Sequence, residues 1–126
     1  MRTIISSFVL TLVACTSAPG EHREAGSARL VRAGEIPCAP RAVLQAVCQN
    51  CHTDPPKNGA PFSQLTYRDI DSDLDGEPVW SRMRRAVREG RMPLDPYELT
   101  AEQQTVLLEW LDADAPPAPI GTVCSP

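Results

Sequence analysis

In the run Cys48-Gln49-Asn50-Cys51-His52, residue type and spacing converge on one chemistry. Two thiols three positions apart lie about one helical turn apart on the same face, so both can add to the two vinyl groups on one edge of a porphyrin. The adjacent imidazole is then held under the iron, and its tether makes coordination nearly intramolecular. The C-x-x-C-H spacing predicts one haem c per chain, with Cys48 and Cys51 as thioether attachment points and His52 as an axial iron ligand. A redox dithiol would sit near a β-α-β pattern, which the sequence lacks, and a zinc site would want a second ligand pair of similar spacing. Only Cys38, Cys124 and His22 remain for that, and they are scattered.

Haem attachment of this kind requires export, and the first residues supply the signal. Arg2 is a positive n-region; Thr3 to Ala14 are mostly apolar but too short to span a bilayer, so residues 1–14 read as a signal peptide. Their end, Leu12-Val13-Ala14-Cys15, resembles the lipobox of bacterial lipoproteins. That resemblance implies diacylation of Cys15, each buried methylene of the acyl chains contributing about 0.8 kcal/mol to a membrane anchor. The other reading is ordinary cleavage nearby, with Cys15 discarded or left free. The expected location is the bacterial cell envelope, periplasmic or outer surface.

From Thr16 to Glu35 the chain is rich in Ser, Ala, Gly, Glu and Arg without a sustained apolar period, so residues 15–35 are expected to form a lipid-anchored flexible tether. The fold is placed in residues 36–126, about ninety residues and one domain, adequate for a core that a buried haem and a cross-link assist. Of five cysteines, one is assigned to lipid and two to haem. Cys38 and Cys124 are left at the two ends of the domain in an oxidising compartment, where they are expected to pair; two free thiols are the alternative.

Three helices position these residues. Pro40 fits a first helical position, and Val43, Leu44, Val47 and Cys51 recur at helical spacing, so the first helix is expected to run into the C-x-x-C-H motif. The second lies between Gly76 and Gly90, with Pro78 near its start and Val79, Trp80, Met83, Ala86 and Val87 along one side. The third opens on a capping box at Thr100-Ala101-Glu102-Gln103 and buries Val106, Leu107, Trp110 and Leu111. A short helical turn is expected near Tyr67 to Ile70, and a loop from Thr53 to Phe62, which holds three prolines.

This order of parts resembles the class I bacterial c-type cytochromes, in particular small monohaem lipoprotein members. The match runs from about Pro37 to Cys124: an N-terminal helix ending in C-x-x-C-H, a proline-rich loop, a middle helix, Met92-Pro93, and a C-terminal helix bearing Trp110. The resemblance implies an all-α, cytochrome c-like fold of three to four helices around one covalent haem, with Trp110 where the first and last helices cross. It also implies that Met92 is the second axial ligand, and that a proline carbonyl after the motif, Pro55, Pro56 or preferably Pro61, orients His52. Position supports Met92, since Met1 is removed and Met83 falls within an apolar stripe. A soft thioether favours ferrous iron and suits electron transfer.

The remaining charged residues carry less. Arg84, Arg85, Arg88 and Arg91, with Trp80 and Tyr97, could contact haem propionates or a partner, but arginines late in a helix and acids before it are also ordinary complements of its dipole. Asp71-Ser72-Asp73-Leu74-Asp75-Gly76 opens like a calcium-binding EF-hand loop, yet position twelve is Arg82, so it reads as a solvated acidic turn. A formal charge of -4 gives no reason to invoke nucleic acid. The expected function is one-electron transfer between redox partner proteins, without enzymatic activity or a small-molecule substrate. Two alternatives stand beside it: a haem sensor or peroxidase-like protein with an open or displaceable sixth site, and a structural zinc protein using Cys48, Cys51 and His52 with Cys38.

Overall fold

Helix α1 (Cys38–Ala46) begins at Pro37, whose φ of -57° and ψ of 151° turn the chain into it. Pro40, expected in its first position, stands in the third, where its missing N–H is equally harmless because first-turn amides have no helical partner. The helix stops before the C-x-x-C-H motif instead of running into it. Val47 leaves helical geometry (φ -121°) and a 3-10 turn over Cys48–Asn50 carries the motif. Asn50 Nδ2 donates to the Ala46 and Val47 carbonyls at 3.1 and 2.9 Å, satisfying acceptors that the helix end exposes.

These coordinates are a computed structural model that describes residues 29–125; the expected signal peptide, the lipidation site Cys15 and most of the expected tether lie outside them. After a loop from the motif, α2 (Tyr67–Asp71) opens on a capping box formed by Thr66 and Asp69. An antiparallel hairpin follows, β1 (Asp73–Leu74) paired with β2 (Glu77–Pro78). Its turn residues Asp75 and Gly76 have φ of +53° and +80°, the two positive values for which Asp-Gly is favoured. Next come α3 (Val79–Arg88) and α4 (Ala101–Asp112), the latter opened by the expected Thr100–Gln103 capping box. Four helices therefore dominate the described residues, and the hairpin is an addition to the all-α expectation.

Helix α4 is the centre of the fold, packing on both α1 and α3, while α2 packs on α3. Leu44, Ile70, Val79, Leu107 and Leu111 are fully buried between them. Each contributes roughly 1.5–3 kcal/mol by leaving water. Trp110 joins this cluster and donates its Nε1–H to the Pro116 carbonyl at 2.9 Å. Tyr67 reaches the same tail, donating to the Ala115 carbonyl at 2.9 Å. The tail then pairs with the start of the domain through a Glu35–Ala118 bridge and the Cys38–Cys124 disulfide.

Ile36 is the first buried apolar residue among those described, and packing begins earlier still, at Arg29 and Arg32, inside the span 15–35 expected as tether. Arg32 donates its backbone N–H to Asp71 Oδ2 and its Nη2 to Oδ1, both at 2.6 Å, and Arg29 donates to the Asp71 carbonyl at 2.7 Å. Asp71 is accordingly buried and doubly paired, a correction to the solvated acidic turn expected there. Burial alone would raise its pKa; the hydrogen bonds from Arg32 and Arg29 outweigh it and hold the carboxyl below the usual range.

Candidate functional site

The 3-10 turn after α1 gathers the motif. His52 N–H donates to the Cys48 carbonyl at 3.0 Å, closing the segment so that both cysteines and the imidazole share one short stretch of backbone. Cys48 is half-buried against the core, and burial pushes its thiol pKa up to about 11. Cys51 is half-buried as well and accepts a hydrogen bond from Asn58 Nδ2 at 3.3 Å. Neither is in a disulfide, in a chain whose other described cysteines are bonded to each other.

His52 is buried, 7% exposed, and its Nδ1 lies 2.8 Å from the Phe62 carbonyl oxygen. A carbonyl only accepts, so Nδ1 carries a proton and Nε2 is the ring nitrogen left over for another partner. The orienting carbonyl is thus that of Phe62, one residue past Pro61, and not that of Pro55, Pro56 or Pro61. Its ring also lies beside the imidazole, centroids 5.0 Å apart and tilted by 32°. Two further hydrogen bonds hold this part of the loop against the motif. Gln64 N–H donates to the His52 carbonyl at 3.0 Å, and Gln49 Nε2 donates to the Gln64 carbonyl at 2.8 Å. Only the length of the proline-rich loop hinted at this return; nothing in the sequence singled out Phe62, Gln64 or Gln49.

The two described methionines lie in different surroundings. Met83 is buried in the core, 5% exposed, on the face of α3 that also presents Trp80 and Val87. Met92 follows a helix end of defined geometry: Gly90 adopts φ +65°, Arg91 N–H returns to the Ala86 carbonyl at 2.9 Å, and Gly90 N–H bonds the Val87 carbonyl at 3.2 Å. This Schellman arrangement ends α3 and delivers a half-buried Met92 two residues later.

All four arginines expected to complement the α3 dipole are paired with carboxylates, Arg84 the most loosely, 3.8 Å from Asp114. Arg85 bonds Glu77 at 2.9 Å, Arg88 meets Asp112, and Arg91 bonds Glu89 at 2.6 Å. Glu77, expected among the acids facing the helix start, accepts from Ser81 as well, and these bonds lower its pKa. Arg84 lies over the Trp80 ring, 5.3 Å from its centroid. Trp80 Nε1–H is buried and has no hydrogen-bond partner among the described residues. Tyr97 is exposed in the loop before α4.

No protein-family model, curated protein or solved structure matches this chain.

Proposed function

We propose that this chain is a monohaem c-type cytochrome, lipid-anchored through Cys15 at the bacterial cell envelope and carrying single electrons between redox proteins. The observation that carries the reading is the hydrogen bond from His52 Nδ1 to the Phe62 carbonyl, which orients the ring and leaves Nε2 for the iron, in the same short segment as two unpaired thiols. Its donor set fits a haem: two thiols for two vinyl groups, an imidazole and a thioether for the iron. The unpartnered Trp80 N–H adds a buried donor suited to a propionate carboxylate.

Cys48 and Cys51 would hold the group by adding S–H across each vinyl double bond, so one C–S bond forms per cysteine and no oxidant is consumed. His52 Nε2 would hold the iron, with the Phe62 carbonyl fixing the ring. Met92 would be the second residue to hold it; Met83 is engaged in the core. When bound, the haem supplies reversible ferric–ferrous chemistry. The protein's own part is to keep both ligands in place through the change, so that little reorganises as the electron passes.

The competing uses of the motif fare worse. A redox dithiol needs a depressed thiol pKa, whereas Cys48 is pushed up. The zinc reading loses its fourth ligand, because Cys38 is bonded to Cys124, and among the described residues no three metal-binding side chains gather.

The test is covalent attachment. The chain co-produced with a haem-attachment system should keep its colour through denaturation and acidic organic extraction, and gain the mass of one haem. Colour that leaves with the solvent, or survives Cys48→Ala with Cys51→Ala, refutes the reading.

A further inference from the structure

The second residue of the C-x-x-C-H motif faces the loop that orients the histidine, which gives that residue a task. Gln49 Nε2 donates to the Gln64 carbonyl at 2.8 Å, and because a carbonyl cannot donate, the contact requires the amide nitrogen at that place. Gln64 N–H in turn donates to the His52 carbonyl at 3.0 Å, and two residues earlier the Phe62 carbonyl accepts from His52 Nδ1 at 2.8 Å. The backbone of residues 62–64 is therefore fastened to the motif at three points: one backbone bond, the His52 ring itself, and the Gln49 side chain. Gln64 itself is 4% exposed, so water does not readily replace that bond. Loops are held by such side-chain bonds when neither helix nor sheet fixes them, and residues 53–66 contain neither.

Resting on the haem reading above, we propose that Gln49 is a positioning residue for the axial histidine: it locks residues 62–64 so that the Phe62 carbonyl holds His52 in one tautomer and one ring orientation. It touches neither the iron nor the porphyrin in this role. Its effect reaches the metal through the loop, as an outer partner that sets ligand direction and basicity.

Gln49→Glu and Gln49→Lys separate the donor from the space it fills. Glutamate keeps the shape but cannot donate when ionised, while lysine keeps a donor on a flexible stem. In the full chain prepared without haem and with the terminal disulfide formed, Gln49→Glu should cut the exchange protection of the Gln64 amide about fivefold, the effect of losing one ordinary hydrogen bond. The His52 ring nitrogen signals should move from a single Nδ1-protonated pattern toward an average of two tautomers. In the haem-loaded ferric chain, the same substitution should alter the hyperfine-shift pattern of the haem methyl groups, which follows the imidazole plane. Gln49→Lys should match the parent in each measurement. Unchanged tautomer and methyl pattern in Gln49→Glu, or equal changes in Gln49→Lys, overturn the proposal. Failure of covalent haem attachment would sink the cytochrome reading and leave the haem-free measurement able to decide this one.

Discussion

Removing Arg29 and Arg32 together should cost more than removing the carboxylate they serve. Asp71 has no exposed side-chain surface, whereas the arginine side chains are 32% and 34% exposed. Arg29→Leu with Arg32→Leu thus leaves a buried charge unpaired, a change worth 3–5 kcal/mol in general. Because the arginines are partly in water, the lower end applies, about 3 kcal/mol at neutral pH. Asp71→Asn strands only groups that can rehydrate, so it should cost about 1–2 kcal/mol. Adding Asp71→Asn to the double arginine variant should restore stability, not reduce it further.

The pH dependence follows from the pKa direction. In the parent, Asp71 is held below its unfolded value, so its contribution is present above about pH 4 and lost as pH falls through the folded pKa. In the arginine variant the side-chain bonds are gone and only the backbone N–H of residue 32 still opposes burial, so that pKa moves up and the gap to the parent narrows on acidification. Urea unfolding of the full chain, followed by circular dichroism between pH 4 and 8, measures both. Additive losses in the triple variant, or a gap that widens in acid, would refute the reasoning. A chain starting at Ile36 should show the same defect, rescued in part by Asp71→Asn.

The disulfide closes an 86-residue separation, so Cys38→Ser with Cys124→Ser should lower stability by about 4 kcal/mol, and alkylation of the unreduced denatured parent should label neither cysteine. Gly34→Ala should destabilise the junction of residues 29–35 with the C-terminal tail, because a Cβ there would fall 2.4 Å from Pro117 Cβ at a φ of +150°; loss of about 2 kcal/mol or more in the same unfolding assay is expected. For the haem-loaded chain, Met92→Ala should abolish the near-infrared sulfur-to-ferric-iron band, lower the potential and admit carbon monoxide rapidly, while Met83→Leu keeps the band. If neither substitution matters and the parent already binds carbon monoxide fast, the sensor or peroxidase-like reading is the better one. Leu107→Ala, fully buried where α4 meets its neighbours, should cost 2–5 kcal/mol by calorimetry or urea.

The residues of the candidate site were legible because their chemistry is local. Two thiols and an imidazole within five positions, a capping box at Thr100, and an apolar stripe from Val79 to Val87 each state their use over a turn or two of chain. The Cys38–Cys124 pair was also within reach, since counting the cysteines that other roles leave over needs no geometry. Even the hairpin has a local signal, Asp75-Gly76, embedded in the acidic run around it. What depended on residues far apart in sequence had to wait for the tertiary structure. Composition makes residues 29–35 a tether, because arginines favour water until a buried carboxylate 39 positions away gives Arg32 a better partner. The histidine's carbonyl falls on Phe62 and not on a proline because the loop's return path, fastened by Gln49 and Gln64, decides which backbone oxygen reaches Nδ1. A side chain's type announces what it can bond; which partner arrives is settled by how the rest of the chain packs.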